Sequence, residues 1–422
     1  MHAPRRGLVA SALALTLAFL LSPANAQQAT GEPIKIGFSM ALTGPLSPNG
    51  KSALLGMHIW EEEINAKGGL LGRPVKLIYY DDQSQPAPVP GIYTKLLDID
   101  KVDLVLGPYA TVPAAAAMPV IVQRGKVFII LFGLAVNTEF NYPKFFAMIP
   151  SGPDTKPSFT AGFFEVAAAQ NPKPQTVALI AADQEFSKNS CEGARDNAKK
   201  AGMRVVYDRN YPPNTADFAP VIRGIQAANP DVVTVCSYPL DSVGVVRAVS
   251  ELNYKPKMIG GAMVGLQATA IKRQLGPLLN GWVNYDTWVP SKQMMLPSTE
   301  EFLKKYQARA GAEGVDPLGY YLGTWGYAYI QVLGDAVEAT KSLKDDTLAD
   351  YIRKTTFKTI MGDIKFGKNG EWEKGRMLQV QYHDIKSGEL DQFRGMDNQT
   401  VLTPAEYKTG DVIYPFEKAK PQ

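Results

Sequence analysis

Short apolar runs alternate with longer segments of helical spacing along most of the chain, and this alternation constrains the fold more than any other feature. Strand-like runs at 34–39, 75–80 and 104–107 are each followed by a segment with helical character. A strand–helix–strand succession predicts parallel strands, right-handed connections and helices on both faces of a sheet. A second series of the same build begins after residue 153, so the sequence predicts an α/β protein with two similar units.

The N-terminus has the features of a secretory signal peptide. Two arginines precede an almost wholly apolar run at 7–21, and Ala24-Asn25-Ala26 matches the small-x-small pattern of a cleavage site. The apolar run is shorter than the roughly 20 residues that span a bilayer. We therefore expect a signal peptide over 1–26, cleavage after Ala26 and export across the inner membrane to the periplasm. An N-terminal anchor helix is the alternative.

Charge and motif content exclude several functions. The chain has 44 Lys and Arg against 41 Asp and Glu, for a net charge of +3. Nucleic-acid binding needs a basic face for the phosphates, so we expect no nucleic-acid partner. The chain has three histidines and contains no Walker loop, no G-x-G-x-x-G after a strand and no H-E-x-x-H. We expect neither catalytic residues nor a metal or cofactor, and an exported enzyme is the least favoured alternative.

The chain has two cysteines, Cys191 and Cys236, in the same stretch of the second unit. In an oxidising compartment the two thiols could pair as a disulfide. Free cysteine is also among the most deeply buried residue types, so two buried thiols fit the sequence equally well. The sequence therefore leaves both states open.

Two loops that follow predicted strands are the first candidates for a binding site, because open α/β sheets bind ligands at the carboxyl ends of their strands. They cover residues 42–50 and 107–113. Thr111 would place a hydroxyl beside free backbone N–H groups at a helix start, which suits a carboxylate. The alternative is that Thr111 serves only as a helix N-cap.

The segments 37–50 and 63–75, followed by Tyr80-Asp81-Asp82, carry a resemblance to a known family. The Asn-Ala-Lys-Gly-Gly block at 65–69, placed before a strand that ends in two aspartates, is its most specific part. The chain resembles the leucine/isoleucine/valine-binding family, the solute receptors of branched-chain amino-acid ABC transporters. This resemblance implies an inner-membrane permease with its ATPases as partner and a monomeric receptor. A receptor that feeds a sensor or regulator is an alternative.

The same resemblance implies the type I periplasmic binding protein fold, in which two Rossmann-like lobes with parallel sheets are joined by three hinge crossovers. We expect lobe 1 to comprise 32–150 and 287–362, and lobe 2 to comprise 151–286 and 363–422. We place the third crossover at Gly362–Phe366. The ligand would lie in the cleft, and contacts made only in the closed state would drive closure.

The family's binding positions can be transferred to this sequence one at a time. Thr111 would hold the ligand carboxylate, Phe186 would form an aromatic lid, and Tyr238 would form an aromatic wall. The full set that the resemblance implies is Asn49, Tyr109, Ala110, Thr111, Leu134, Val136, Phe186 and Tyr238. Leu134 and Val136 are bulkier and less polar than the family's usual residues at their loop.

One departure from the family bears on the ligand. Where amino-acid binders carry an acid that pairs with the ligand ammonium, this chain has Ala262 or Met263. A buried ammonium without a partner costs several kcal/mol. Either Glu185 or Asp241 substitutes, and the ligand is a branched-chain amino acid, or the ligand has no ammonium. We prefer a small carboxylate with an apolar or aromatic body.

Overall fold

The computed structural model describes residues 29–213 and 215–419. The predicted signal peptide lies outside these residues. Within them, no helix is both long enough and apolar enough to cross a membrane.

The described residues form fourteen strands and twelve α-helices, numbered in chain order. The strands are β1 (Ile34–Met40), β2 (Val75–Asp81), β3 (Leu104–Val105), β4 (Phe128–Ile130), β5 (Phe145–Ala147), β6 (Thr176–Ala182), β7 (Arg204–Tyr211), β8 (Val232–Ser237), β9 (Met258–Met263), β10 (Val283–Asp286), β11 (Thr356–Thr359), β12 (Gly362–Lys365), β13 (Leu378–Tyr382) and β14 (Gln399–Thr403). The helices are α1 (Ser47–Ala66), α2 (Val89–Asp98), α3 (Thr111–Arg124), α4 (Asn137–Phe140), α5 (Thr155–Ala168), α6 (Glu185–Lys200), α7 (Ala219–Ala228), α8 (Pro239–Glu251), α9 (Thr269–Leu275), α10 (Pro297–Glu313), α11 (Leu322–Thr340) and α12 (Asp345–Lys354).

The first lobe is built on five short parallel strands. β1 lies between β2 and β3, and β4 pairs in parallel with β5. The two groups are joined where the Gly107 N–H donates a 2.7 Å bond to the Ile129 carbonyl. The predicted strand–helix alternation is confirmed here, because each of these five strands is followed in the chain by a helix, from α1 after β1 to α5 after β5.

The second lobe is built on one seven-stranded sheet in the order β14-β13-β10-β9-β8-β6-β7. The five strands from β10 to β7 are parallel, whereas β13 pairs antiparallel with both β10 and β14. The strands β6, β8 and β9 are almost wholly buried, as expected for parallel strands covered on both faces. The α/β class with two parallel-sheet lobes is confirmed.

The late helices of the chain return to the first lobe, where α1 packs closely against α11. A Cβ atom added at Gly56 would lie 2.2 Å from the Gly323 carbonyl oxygen, and one at Gly326 would lie 2.2 Å from that of Ala53. Only glycine allows the two helix backbones to approach this closely. This contact places the N-terminal ends of both helices beside the cleft.

The chain passes between the lobes three times. β5 belongs to the first lobe and α5 packs beside the second sheet; β10 belongs to the second sheet, whereas α10 packs on α1. The last return comes late, because the Ala147 N–H of β5 donates a 2.9 Å bond to the Gly370 carbonyl. Arg376 then donates its backbone N–H to the Pro150 carbonyl, so the first and third crossovers lie side by side.

Candidate functional site

A narrow cavity lies between the lobes, at the edges where the strands of both sheets end. About 410 Å3 of space between atoms lies within it, including space that is open to solvent. Fourteen described residues line it: Leu46, Tyr109, Ala110, Thr111, Phe132, Gly133, Leu134, Ile149, Phe159, Phe186, Tyr238, Val264, Tyr285 and Tyr321. Both lobes and two of the crossovers contribute.

The polar side of the cavity is the start of α3. Thr111 Oγ1 accepts a 3.0 Å bond from the Leu134 N–H, which leaves the hydroxyl proton of Thr111 available to a ligand. The first N–H groups of a helix have no acceptor within the helix, and Pro113 has no N–H. The donors at this end are therefore the Thr111 hydroxyl and the backbone N–H groups of Thr111 and Val112, which together suit a carboxylate.

Ala110, immediately before α3, has a strained backbone. Its φ of 81° and ψ of 157° lie in a region that is essentially restricted to glycine. Such conformations cost about 1–3 kcal/mol and persist where the surrounding structure demands them. Here the strain turns the chain so that Tyr109 and Thr111 both line the cavity.

The second lobe presents a continuous row of aromatic rings. Tyr238 lies 5.9 Å from Phe186, Phe186 lies 5.2 Å from Phe159, and Phe159 lies 4.8 Å from Tyr285, all as centroid distances in edge-to-face geometry. Edge-to-face pairs stabilise by about 0.5–1.5 kcal/mol beyond their buried area. The row therefore forms a rigid apolar wall.

The first lobe faces this row with a second aromatic cluster. The ring of Phe132 lies 5.8 Å from Tyr321 and 5.3 Å from Trp325. Trp325 is held in turn by a 3.1 Å bond from its Nε1 to the Thr287 hydroxyl, in the second crossover. Phe132 and Tyr321 line the same cavity as the aromatic row of the second lobe.

Four tyrosines line the cavity: Tyr109, Tyr238, Tyr285 and Tyr321. The Asn49 side-chain amide donates a 2.9 Å bond to the Tyr109 hydroxyl, and burial raises the pKa of Tyr109 to about 12. Burial also raises the pKa of Tyr238, Tyr285 and Tyr321. All four phenols therefore stay protonated and neutral at physiological pH.

The cavity lining has no charged side chain among the described residues. Ala262 and Met263 lie fully buried in β9, and the residue that reaches the cavity from this strand's end is Val264. Glu185 is exposed and borders a larger groove at the mouth of the cleft. The acid expected of an amino-acid binder is thus missing from the lining.

Asp241, the other candidate acid, is engaged in the second lobe. Its Oδ2 accepts a 3.4 Å bond from the Tyr238 N–H and a 3.3 Å bond from the Tyr211 hydroxyl, so that it caps α8. Burial raises the pKa of this carboxyl. Asp241 borders the outer groove and not the inner cavity.

The structure brings most of the predicted residues to the inner cavity. Six of them line it: Tyr109, Ala110, Thr111, Leu134, Phe186 and Tyr238. Asn49 lies behind Tyr109 as its hydrogen-bond donor. Val136 lies behind Gly133, because a Cβ atom at Gly133 would be 3.0 Å from the Val136 side chain. Glu185 and Asp241 lie outside the cavity.

Sequence reasoning missed other lining residues, above all Phe159, Tyr285 and Tyr321. Phe159 lies on a helix with apolar spacing, which reads as core. Tyr285 is the last residue but one of β10, which leads into a crossover, and Tyr321 directly precedes α11. For Tyr285 and Tyr321, the one sequence signal of a lining residue is a position near the end of a helix or strand. Many other residues share such a position, so the signal does not single these two out.

The two cysteines are free and fully buried in the structure. The Cys191 thiol donates a 3.4 Å bond to the Ile180 carbonyl. Burial and the neighbouring Cys191 raise the pKa of the Cys236 thiol. Within the described residues, no three His, Cys, Asp or Glu side chains are grouped to hold a metal ion.

Comparison with known proteins gives one family. The family model described as "Periplasmic binding protein" matches residues 33–383. The Leu/Ile/Val-binding protein homolog 7 of Brucella abortus is 26% identical over 386 residues, which cover 89% of this chain and 94% of that protein.

Two solved structures have a similar fold. The substrate-binding protein LivJ from Streptococcus pneumoniae, in complex with isoleucine, has a TM-score of 0.72 at 18% identity and covers 88% of this chain and 100% of LivJ. A solute-binding protein of an ABC transporter from R. palustris, in complex with 4-hydroxybenzoate, has a TM-score of 0.73 at 16% identity. The match covers 90% of this chain and 98% of that protein.

Proposed function

This chain belongs to the periplasmic binding protein family, and we propose that it is the periplasmic solute-binding component of an ABC importer for a small carboxylate with an apolar or aromatic body. The observation that carries the proposal is the uncharged lining of the cavity in the described residues. An amino acid would bury its ammonium there without a counter-charge, at a cost of several kcal/mol. A simple acid avoids that cost.

The ligand carboxylate would bind at the start of α3. Thr111 offers its hydroxyl, and the helix terminus adds free N–H groups and a partial positive charge. The body of the ligand would lie between the row of Phe159 and Phe186 and the ring of Phe132. Shape and apolar contact would then select the body, and the helix terminus would select the acid.

The known ligands of similar folds do not decide between ligand classes. One relative of similar fold was solved with isoleucine and another with 4-hydroxybenzoate, and their TM-scores are 0.72 and 0.73. A branched-chain amino acid is therefore the second candidate, supported by the Leu/Ile/Val-binding relatives. Against it, Glu185 is exposed and Asp241 is already bonded in the cap of α8.

We also propose the division of the chain and its place in the cell. Lobe 1 would comprise 32–150 and 287–372, which extends its predicted end from residue 362 because Gly370 still bonds to β5. Lobe 2 would comprise the rest of the mature chain. A monomer would deliver ligand from the periplasm to a permease with its ATPases, and osmotic-shock fluid should contain the cleaved protein.

Thermal-shift and calorimetric titration against two ligand sets tests the proposal. One set contains benzoate, 4-hydroxybenzoate, phenylacetate and 3-methylbutanoate; the other contains leucine, isoleucine, valine and phenylalanine. A ligand at 100 times its Kd stabilises the folded state by about 2.7 kcal/mol. We expect stabilisation by at least one simple acid. Stabilisation by the amino acids alone would contradict the proposed ligand class.

A further inference from the structure

We propose that Tyr109, Tyr285 and Tyr321 form a hydroxyl corner in the cavity that selects acids carrying a second, uncharged polar group, such as a ring hydroxyl. This inference rests on the proposed function, since it assumes a carboxylate at the start of α3. The hydroxyl corner adds three specificity-determining groups to the site, beside the polar start of α3 and the two aromatic surfaces.

The three phenols come from distant parts of the chain. Tyr109 lies in the loop after β3, Tyr285 lies on β10, and Tyr321 lies immediately before α11. Their exposed fractions are 3%, 1% and 4%, yet all three border the cavity. Because β10 belongs to the second sheet and the other two to the first lobe, the corner is complete only when the lobes are closed.

The hydroxyls lie close enough to affect one another. The pKa of Tyr321 is raised first by burial and then by the neighbouring Tyr109 and Tyr285. Asn49 donates to the Tyr109 hydroxyl at 2.9 Å, so this oxygen already accepts one bond. The hydroxyl proton of Tyr109 must therefore point toward another acceptor.

A count of donors indicates what the corner requires. Each phenol has one proton to donate. Tyr321 interacts with both Tyr109 and Tyr285, and two hydrogen bonds in such an open chain use two of the three protons, so that one proton is left. A buried donor without a partner costs about 1–3 kcal/mol. A ligand oxygen directed at this corner would accept that proton.

The corner suits a neutral group better than a charged one. Among the described residues, no cationic side chain lines the cavity to balance a second carboxylate, and no anionic side chain lines it to balance an ammonium. The three phenols stay protonated because burial raises their pKa values. A ring hydroxyl both accepts and donates, and so matches phenols that do the same.

Paired ligands test the inference. Benzoate and 4-hydroxybenzoate, and phenylacetate and 4-hydroxyphenylacetate, differ only by a hydroxyl. Calorimetric titration of the natural chain should show the hydroxylated acid binding about tenfold tighter within at least one pair. Tyr321→Phe and Tyr285→Phe should each reduce that ratio toward one, because each should weaken the binding of the hydroxylated acid more than that of the unsubstituted acid.

Tyr320→Phe is the matched control, because the Tyr320 hydroxyl donates to the Arg394 carbonyl at 2.8 Å, away from the cavity. It should leave the ratio unchanged. Because there are two Phe variants at the corner, the test can still be done if one of them fails to fold. Circular dichroism shows whether each variant is folded. Equal affinity within every pair, or equal loss for both members of a pair, would overturn the inference. Failure of every acid to bind would instead overturn the proposed function.

Discussion

The Leu134 N–H donates a 3.0 Å hydrogen bond to Thr111 Oγ1 and so joins the loops that follow two neighbouring strands, β3 and β4. Both residues are almost completely buried. The bond uses an acceptor site of the hydroxyl and leaves its proton free. It therefore orients the one side-chain donor at the start of α3 toward the cavity.

Thr111→Val should weaken the binding of a simple acid at least tenfold, because a hydrogen bond to a charged group contributes about 1.5–3 kcal/mol. It should also lower the free energy of unfolding by about 1–3 kcal/mol, because the Leu134 N–H loses its acceptor. Thr111→Ser keeps the hydroxyl and should retain both properties. Calorimetry and denaturant unfolding measure the two effects, and unchanged affinity in the valine variant would remove Thr111 from the site.

Ala110→Gly should stabilise the protein, although glycine usually destabilises. Its φ of 81° and ψ of 157° cost an alanine about 1–3 kcal/mol, whereas the greater freedom of unfolded glycine costs about 0.4–1 kcal/mol. The expected net gain is about 1 kcal/mol in the free energy of unfolding. Ala115→Gly, in the interior of α3, should instead lose about 1 kcal/mol. Urea unfolding of both variants compares them, and destabilisation by Ala110→Gly would show that the conformation is not strained.

Val264→Asp should reduce affinity for a simple acid more than tenfold. The new carboxylate would face a ligand carboxylate in a cavity whose lining has no cation among the described residues. Val264→Asn, similar in size but neutral, is the control for shape and should lose less. Titration calorimetry at pH 8 measures both. If the two variants lose affinity equally, charge repulsion is not the cause and the carboxylate position is wrong.

Glu371→Gln should stabilise the protein at high pH. Burial raises the pKa of Glu371 from 4.5 to about 8, and its Oε2 has no hydrogen-bond partner within the part of the chain that the structure describes. Between these pH values the folded chain keeps a proton that the unfolded chain has released, so this group's contribution to stability is present below about pH 4.5 and decreases as pH rises toward 8. The variant should gain up to a few kcal/mol at pH 8 and almost nothing at pH 4.5.

Unfolding free energies measured at both pH values test this prediction, and Glu373→Gln is the control because Glu373 is exposed two residues further on. A gain in Glu371→Gln that is the same at both pH values would contradict the raised pKa.

Cys191 and Cys236 should resist alkylation in the folded protein, because both are fully buried and burial raises the pKa of the Cys236 thiol, so that little reactive thiolate forms. Iodoacetamide should label neither cysteine in the folded protein. It should label both once the protein is unfolded, even without a reductant, and intact-mass measurement counts the labels. No label in the unfolded, unreduced chain, with two labels after reduction, would show instead that the two cysteines form a disulfide.

Much of the fold follows from local patterns. The run 34–39 and the glycine-rich block at 65–69 indicate a strand and a helix end, and these correspond to β1 and the end of α1. The late strand β14 was not predicted, because its Gln399 and Thr400 read as loop residues. In the structure, pairing with β13 supplies the backbone partners that a polar strand needs.

The sequence by itself determined the α/β class, the two lobes and the loop that carries Thr111, because periodicity and strand-end loops are local properties. Only the tertiary structure decided which side chains meet in the cleft. Tyr285 and Tyr321 lie far from Tyr109 in the chain and share the cavity because the late helices return to the first lobe. The tertiary structure likewise shows that the Asp241 carboxylate accepts a bond from the Tyr211 hydroxyl, a partnership between distant residues that local sequence patterns do not reveal.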